Sequence, residues 1–398
     1  MNNFFSANID YQKIVTRFGS PALIIDKATI RHQYNELSKA LPGVTLHYAL
    51  KPLPLKIMCE TLNELGSSFD LASNGEVDLV KSCGIAADKC IHTHPIKRDS
   101  DIKHALEYGC RTFVFDNEVE LEKFIPYQKE VNLLLRVSFP NPETKVDLSK
   151  KFGTLPENVM SLLRKAYNFG FNVRGLSFHV GSQVATSTRH VEAVRECGAL
   201  IKQATAEGIS LATLDIGGGF PVDYQNAQST DIYGFCAPIR EALAKLPSHL
   251  EIIAEPGRFL SAPVMQNICS VVGISHRFGK PWYYLDDGVY CSYSGQIFDH
   301  VVYPKYTPYN ESTAEDAASV LAGPTCDSID VIADDQILPE LKVGDLIVGK
   351  MMGAYTISTA TEFNFIPKTK IIEMDLDEEC EFVINDTRNE ENVLKLAS

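Results

Sequence analysis

Several residues that could do chemistry stand directly after short apolar runs. Lys51 follows one such run, and a lysine whose amine is partly desolvated can form a Schiff base with a carbonyl compound. The run Gly217 to Gly219 follows another, and Glu255, Gly257 and Arg258 follow a third. Glycines let the backbone approach an anion closely with its N–H groups, and arginine binds phosphate with paired hydrogen bonds. A reactive lysine beside a phosphate-binding loop suggests pyridoxal phosphate as the cofactor.

Eight apolar runs alternate with helix-like segments up to about residue 265. Each run is almost continuously apolar, which is typical of strands that are buried on both faces. The intervening segments include Glu76–Ser82 and Val191–Glu207. Eight β/α repeats predict a (β/α)8 TIM-like barrel. The predicted strands are Leu46–Leu50, Phe69–Ala72, Cys90–Thr93, Thr112–Phe115, Asn132–Val137, Gly175–Phe178, Ala212–Ile216 and Ile252–Ala254.

The pattern changes beyond about residue 265. Runs rich in Val, Ile and Tyr, separated by Pro and Gly, predict a second, mainly antiparallel β domain; examples are Trp282–Leu285, Asp345–Val348 and Lys370–Met374. The strand-like segment Ala22–Ile25 precedes the first barrel strand and could join this domain. We therefore expect the barrel at residues 26–264 and the β-sheet domain at residues 1–25 plus 265–398.

The candidate residues share one end of the predicted barrel. The C-terminal ends of barrel strands meet at one mouth, where active sites lie. Each residue alone has an ordinary interpretation as a solvated lysine, a core histidine or a turn glycine. However, six of the eight predicted strands end in such residues, and this favours a shared site. The residues are Lys51, Asp70, Arg136, His179, the run Gly217 to Gly219 and Glu255.

Composition limits the function classes. The net charge of −14 argues against nucleic-acid or anionic membrane partners, because their phosphates would be repelled. The ten cysteines show neither CxxC pairs nor His/Cys ligand spacing, which predicts reduced thiols and no metal site. The first residues lack a basic segment followed by an apolar run, and no stretch approaches about 18 apolar residues, so we expect a cytoplasmic protein.

Eight short motifs occur in order between about residues 20 and 365, and they are Tyr48-Ala49-Leu50-Lys51, Phe69-Asp70-Leu71-Ala72-Ser73, Phe178-His179-Val180-Gly181-Ser182, Asp215-Ile216-Gly217-Gly218-Gly219-Phe220-Pro221, Glu255-Pro256-Gly257-Arg258, Asp287-Gly288-Val289-Tyr290, Gly323-Pro324-Thr325-Cys326-Asp327 and Gly353-Ala354-Tyr355-Thr356. In order and spacing they resemble the fold-type III pyridoxal-phosphate decarboxylases of the alanine racemase-like barrel group. The resemblance is strongest to the ornithine decarboxylase branch of the ornithine/lysine/arginine decarboxylases.

The resemblance implies a role for each residue at the barrel mouth. Lys51 would bind the cofactor covalently, Glu255 would pair with its pyridinium nitrogen, and His179 would stack on its ring. The network around Lys51 and the ring edge would consist of Asp70, Glu76 and Arg136. The phosphate would be held by Ser182, Gly217, Gly218, Gly219, Gly257, Arg258 and the hydroxyl of Tyr355.

The resemblance also implies a reaction, the decarboxylation of L-ornithine to putrescine and CO2. Cys326 would return a proton to the carbon that loses the carboxylate, and Phe363 would line the face from which the carboxylate leaves. Asp299, beside Phe298, and Asp327 would bind the side-chain ammonium of the substrate. Lysine is one methylene longer, a difference worth only about 1–3 kcal/mol, so a lysine or dual lysine/ornithine enzyme stays open.

Two further implications concern assembly. The family forms homodimers with shared active sites, so Cys326 and Asp327 would reach into the barrel of the neighbouring subunit. Lys151 and Asp330 match a charge pair that crosses this interface. Each can also be interpreted as an ordinary surface charge, and from the sequence alone we prefer that interpretation.

Two alternative functions fit these residues less well. An amino-acid racemase would need a tyrosine base on the opposite face and usually carries arginine, where this chain has Glu255. A non-catalytic homologue that regulates polyamine metabolism should have lost cofactor-binding residues or the cysteine at Cys326. This chain keeps both, which favours the enzyme.

Overall fold

The computed structural model describes residues 9–139, 150–225 and 230–377, together with the backbone of residues 383–385. As far as they are described, the residues form two compact units. The barrel unit contains His32–Pro221 and Thr230–Phe259. The β unit contains the residues up to Arg31, Val222–Ser229 and the residues from Leu260 onward.

The strands alternate with helices only in the first part of the chain. In order, the strands are β1 (Ala22–Asp26), β2 (Val44–Ala49), β3 (Ser68–Leu71), β4 (Cys90–His92), β5 (Thr112–Phe115), β6 (Asn132–Val137), β7 (Asn172–Phe178), β8 (Thr213–Asp215), β9 (Glu251–Ala254), β10 (Met265–Arg277), β11 (Lys280–Leu285), β12 (Lys305–Tyr306), β13 (Ala317–Ala322), β14 (Val331–Leu338), β15 (Leu346–Gly349), β16 (Lys370–Met374) and β17 (Val383–Asn385).

The helices of the described residues mostly follow barrel strands. They are α1 (Tyr11–Phe18), α2 (Lys27–Ala40), α3 (Lys56–Glu64), α4 (Asn74–Ser82), α5 (Asp99–Tyr108), α6 (Glu118–Lys123), α7 (Pro156–Asn168), α8 (Thr188–Ala206), α9 (Ile232–Leu243), α10 (Arg258–Ser261) and α11 (Gly295–Phe298). Within the described ranges, no helix combines the length and the apolar character that a membrane span requires.

Strands β2 to β9 form a closed parallel barrel. The last strand pairs with the first, with Leu46 opposite Ala254. Branched apolar side chains of β4, β5, β6 and β9 form one buried cluster, as the packed interior of such a barrel requires. All eight predicted strands are therefore confirmed, and the prediction of a (β/α)8 barrel is correct.

The β unit contains a nine-stranded, mostly antiparallel sheet. Strand β1 pairs in antiparallel fashion with β10 and in parallel with β16, so it lies inside the sheet. Ile24, Ile268 and Ile372 of these three strands share a buried core with Tyr11 and Ile14 of α1. The predicted strands Ala22–Ile25, Trp282–Leu285, Asp345–Val348 and Lys370–Met374 all fall on strands of this sheet.

Candidate active site

The predicted mouth residues lie where the barrel strands end. Lys51 stands two residues beyond β2, and the preceding residue, Leu50, donates a backbone hydrogen bond to the carbonyl of Asp70 in β3 (3.3 Å). His179 and Glu255 directly follow β7 and β9. Because the parallel strands of a barrel end at the same rim, these residues lie at one end of the barrel.

Three acids share the electrostatic environment of Lys51. Burial raises the pKa of Asp70 well above its usual 3.8 and the charge of Glu255 adds to this, whereas Lys51 and the hydroxyl of Thr93 lower it. Burial also raises the pKa of Glu76, which the Ala72 N–H and Lys51 oppose. Lys51 likewise lowers the pKa of Glu255 against the effect of burial. Lys51 is therefore a cation that interacts with two buried carboxyl groups, those of Asp70 and Glu255, and with the half-buried Glu76.

The glycine run forms a loop that no other residue type fits. A Cβ at Gly217 would lie 2.2 Å from the carbonyl oxygen of Phe178, and one at Gly218 would lie 2.6 Å from that of Glu255. Gly219 has φ +96°, a left-handed conformation that side chains disfavour, and its Cβ would lie 2.6 Å from the Gly181 oxygen. The backbone can thus approach a ligand at this loop without side chains in the way.

A guanidinium group and a hydroxyl follow the two barrel strands that flank the strand before this loop, Ser182 after β7 and Arg258 after β9. Arg258 is buried, and its Nε and Nη2 donate to the Oγ of Ser182 at 3.3 and 3.1 Å. A fork of guanidinium donors with an adjacent hydroxyl matches the oxygens of a phosphate group. Gly257 completes this region, since its Cβ would lie 3.0 Å from the Pro52 ring beside Lys51.

His179 lies against the glycine loop. Its Nδ1 accepts the N–H of Gly181 at 3.1 Å, and its Nε2 would lie 3.1 Å from a Cβ at Gly218. Burial, with the charges of Lys51 and Arg136, holds the pKa of His179 well below 6.5. The imidazole is therefore neutral at physiological pH, which suits a flat ring that stacks on an electron-poor cofactor ring.

Arg136 reaches the same charges from β6. Its guanidinium lies 5.6 Å from the centre of the Phe152 ring, in cation–π contact. Arg136 lowers the pKa values of both Glu255 and Asp215. It therefore adds a second positive charge to the site beside Lys51.

In the β unit, the predicted site residues Cys326, Asp327 and Phe363 each contact a residue without a predicted role. These two further residues are Tyr290 and Asn364. The backbone N–H and the thiol of Cys326 donate to Oδ1 of Asn364 at 3.2 and 3.3 Å. The Tyr290 hydroxyl donates to Asp327, and the Tyr290 ring stacks on Phe363 with centres 4.4 Å apart. This set is called the Cys326 cluster below.

Signals for Tyr290 and Asn364 exist in the sequence. Tyr290 ends the motif Asp287-Gly288-Val289-Tyr290. Asn364 follows Phe363 and has φ 57°, a left-handed conformation that asparagine tolerates better than most residues. Neither signal specifies which side chain each residue contacts.

The other predicted residues of the β unit lie around α11. Phe298 ends this short helix with 62% of its surface exposed, and Asp299 follows as the C-terminal cap. Tyr355 has φ 55°, and its carbonyl oxygen would lie 2.8 Å from a Cβ at Gly295, where α11 begins. The backbone therefore places Tyr355 near the start of the helix that ends at Phe298.

The interpretation of Asp330 as an ordinary surface charge is wrong. Asp330 is buried, and it accepts hydrogen bonds from the Val289 N–H (2.8 Å) and from the Thr325 N–H and hydroxyl (3.0 and 2.7 Å). Loop donors that converge on one carboxylate outweigh its preference for water. Asp330 thus ties the loop of Cys326 and Asp327 to the segment that leads to Tyr290. Lys151 is exposed, as expected.

We predict that Asp330→Ala destabilises the β unit. The change leaves three donors without their acceptor, and each unpaired buried donor costs about 1–3 kcal/mol. Urea unfolding should show a lower midpoint, whereas Asp334→Ala, which truncates an exposed carboxylate nearby, should leave the midpoint within error. Equal midpoints for the two variants would contradict the role assigned to Asp330.

Comparison with known proteins identifies the family. The family model described as "Pyridoxal-dependent decarboxylase, pyridoxal binding domain" matches residues 27–262. The lysine/ornithine decarboxylase of Selenomonas ruminantium is 33% identical over 92% of each chain. Antizyme inhibitor 2 of Xenopus laevis is 34% identical over 86% of this chain and 78% of its own.

A solved structure is more similar in sequence. The lysine/ornithine decarboxylase from Vibrio vulnificus, complexed with putrescine, is 50% identical, has a TM-score of 0.86, and covers 92% of this chain and 97% of its own. Its complex with cadaverine gives a TM-score of 0.87. The sequence resemblance to decarboxylases is thus confirmed at the level of the family.

The cofactor is pyridoxal phosphate, and the barrel fits it. The glycine loop, which a Cβ would fill, and the Arg258–Ser182 pair suit the phosphate. Neutral His179 suits the ring, and Glu255 with Lys51 suits the ring nitrogen and the aldehyde. The chain belongs to the fold-type III, pyridoxal-phosphate-dependent ornithine/lysine/arginine decarboxylase family.

Proposed function

We propose that the chain decarboxylates L-ornithine to putrescine and CO2, and that it accepts L-lysine as a second substrate. The observation that carries the choice of a basic amino acid is Asp327 in the Cys326 cluster. The hydrogen bond from Tyr290 lowers the pKa of Asp327, so this carboxylate is ionised at neutral pH. An ionised carboxylate beside a thiol and an aromatic ring suits a substrate with a distal ammonium group and an apolar stem.

The residues divide the work as follows. Pyridoxal phosphate, bound through Lys51, supplies an electron-accepting ring. Glu255 holds the proton at the ring nitrogen, and His179 packs on the ring face. Cys326 delivers a proton to the carbon that has lost CO2. Phe363 keeps water from the departing carboxylate, which favours the dispersal of its charge.

Lysine is proposed as a substrate because of one comparison. The 50% identical Vibrio vulnificus protein is described as a lysine/ornithine decarboxylase and has been solved with both putrescine and cadaverine. One methylene changes binding by only about 1–3 kcal/mol in an apolar pocket. A pocket with room for lysine would therefore discriminate only modestly between the two amino acids.

The test is the release of diamine by the purified, cofactor-loaded protein. Ornithine, lysine, arginine and diaminopimelate would be supplied separately. Putrescine and cadaverine from the first two would support the proposal, and putrescine alone would restrict it to ornithine. If none of the four yields CO2, the second candidate applies, a non-catalytic regulator, which the similarity to antizyme inhibitor 2 favours.

We predict that Asp327→Asn raises KM for ornithine at least about tenfold, because the substrate ammonium loses its charged hydrogen-bond acceptor. A smaller change in kcat is expected, since Asp327 contacts the end of the substrate that does not react. Steady-state kinetics would measure both constants, with the exposed neighbour Ser328→Ala as the control. An unchanged KM would remove Asp327 from the substrate site.

The assembly and the domain limits are also proposals. We expect a homodimer in which Cys326 and Asp327 complete the barrel site of the partner subunit, with the barrel at residues 26–264. Mixing inactive Lys51→Ala and Cys326→Ala subunits would then restore roughly a quarter of the wild-type activity, since each mixed dimer regains one intact site. A mixture that stays inactive after subunit exchange would contradict shared sites.

A further inference from the structure

Asp215 is a buried acid at the barrel mouth without a role in the function proposed above. It ends β8 and has no exposed surface, and the neighbouring strand β9 leads to Glu255. Its Oδ1 accepts the N–H of Gly217 at 2.9 Å, while the Glu255 N–H donates to the Gly217 carbonyl at 2.7 Å. The two acids are therefore held on either side of the first glycine of the loop.

The protonation of the two carboxyl groups is coupled, because Glu255 lowers the pKa of Asp215 and Asp215 raises that of Glu255. Oδ2 of Asp215 is buried, and no donor among the described residues pairs with it. A buried carboxylate oxygen without a donor is costly, and a proton shared with a neighbouring carboxyl group supplies that donor. The geometry thus favours one shared proton for the pair.

The electrostatics agree with this geometry. Burial raises the pKa of Asp215 to about 6. Burial and the charge of Asp215 raise the pKa of Glu255 well above its usual 4.5. Asp70 opposes ionisation of Asp215, and Arg136 favours it. Lys51 and Arg136 favour ionisation of Glu255. Within the pair, these effects shift the proton toward Glu255 and away from Asp215.

We infer that Asp215 is a positioning residue of the cofactor site. In the cofactor-free protein it shares a proton with Glu255. Once the cofactor is bound, its negative charge makes the ring nitrogen hold its proton more strongly. The inference rests on the role proposed for Glu255. When a cofactor with an unprotonated ring nitrogen binds, the proton of Glu255 passes to that nitrogen, leaving a Glu255 carboxylate and a pyridinium. No charge is created overall, so the transfer needs no further reactant.

The negative charge of Asp215 adds to the effect of Glu255 on the proton affinity of the ring nitrogen. Once Glu255 has given up its proton, the Asp215 carboxylate is a second negative charge close to Glu255. The negative potential of two carboxylates makes loss of the pyridinium proton harder than one would. Asp215→Asn keeps the size and an acceptor for the Gly217 N–H, but removes this charge.

The first experiment measures the ring nitrogen directly. Protein loaded with 15N-labelled pyridoxal phosphate would be titrated by NMR, since the nitrogen shift reports its protonation. We expect Asp215→Asn to weaken the proton affinity of the nitrogen about tenfold or more. Asp26→Asn is the matched control, because Asp26 is an equally buried acid in the β unit.

The outcomes separate the two proposals. A shift in Asp215→Asn but not in Asp26→Asn supports the inference. Equal titrations in wild type and Asp215→Asn, with wild-type nitrogen protonated at neutral pH, would overturn it and leave the role of Glu255 intact. An unprotonated nitrogen in the wild type would instead remove Glu255 from its proposed role and the inference with it.

A second experiment uses the cofactor-free protein. The folded-state pKa of Asp215 lies above its usual 3.8, so its stabilising contribution is full below about pH 3.8 and is lost as the pH rises through about 6. Relative to Asp215→Asn, the wild type should lose up to about 100-fold in its folding equilibrium constant over this range.

Urea unfolding at a series of pH values would measure this loss. Glu255→Gln is the second variant, which serves if Asp215→Asn does not fold. It breaks the same pair from the other side, so its stability should also decline less steeply with pH than that of the wild type. Unchanged pH dependence in either variant would show that the pair shares no proton and would overturn the inference.

Discussion

Lys51→Ala is expected to lower kcat/KM for ornithine by about 10³-fold or more, the largest effect of any single substitution in the chain. In the proposed function Lys51 is the covalent anchor of the cofactor and also exchanges protons during product release, and such acid–base roles alone contribute about 10²–10⁴-fold. It is the cation that Asp70, Glu76 and Glu255 face. Its loss therefore leaves the buried Asp70 and Glu255 and the half-buried Glu76 without their main counter-charge.

The measurement combines kinetics with the visible absorption of the lysine-bound cofactor, which should vanish in the variant. Lys56→Ala is the matched control, because Lys56 is an exposed lysine at the start of α3 that pairs with Glu60 on the same helix. That control should keep wild-type activity and absorption. A Lys51→Ala protein that keeps the band and more than a tenth of the activity would remove Lys51 from its role.

Gly218→Ala is expected to have the second largest effect, a severe loss of cofactor affinity. The added Cβ would lie 2.6 Å from the backbone oxygen of Glu255 and 3.1 Å from Nε2 of His179. Backbone cannot swing aside as a flexible side chain can, so the loop must shift at a cost of about 1–3 kcal/mol. The shifted loop would also move the N–H groups that we propose to hold the phosphate.

Equilibrium binding of pyridoxal phosphate and urea unfolding of the cofactor-free protein would measure the two consequences. Gly75→Ala provides the comparison, because a Cβ there meets nothing within 4 Å and Gly75 lies in helix α4. That variant should be as stable as the wild type or more stable by about 0.4–1 kcal/mol. Wild-type cofactor affinity in Gly218→Ala would show that the loop can accommodate a Cβ at this position.

The barrel could be predicted from the sequence because its strands are buried on both faces. Such strands must be apolar almost without interruption, and the residues after them mark the mouth. This pattern alone predicts Lys51, His179 and Glu255 at the mouth. The sheet of the β unit was predictable in outline, since strands such as Trp282–Leu285 are rich in Val, Ile and aromatic residues.

Contacts between loops could not be predicted in the same way. The burial of Asp330 depends on turns that bring Val289 and Thr325 onto one carboxylate, and no periodicity encodes those turns. The contacts of Tyr290 with Asp327 and of Cys326 with Asn364 have the same origin. The Asp215–Glu255 pair was hidden for another reason, because an acid that ends an apolar strand usually faces solvent.

The order of strands in the sheet of the β unit affects how the protein folds while it is synthesised on the ribosome. Strand β1 emerges early, but its two hydrogen-bonding neighbours are β10 and β16, which are synthesised only after the entire barrel. Every barrel strand lies between Val44 and Ala254, so the barrel can close before the partner strands of β1 have been synthesised. During this interval both edges of an apolar strand, Ala22–Asp26, are open to unwanted pairing. Vectorial synthesis thus makes the second domain, and not the catalytic barrel, the part of this chain that is assembled last.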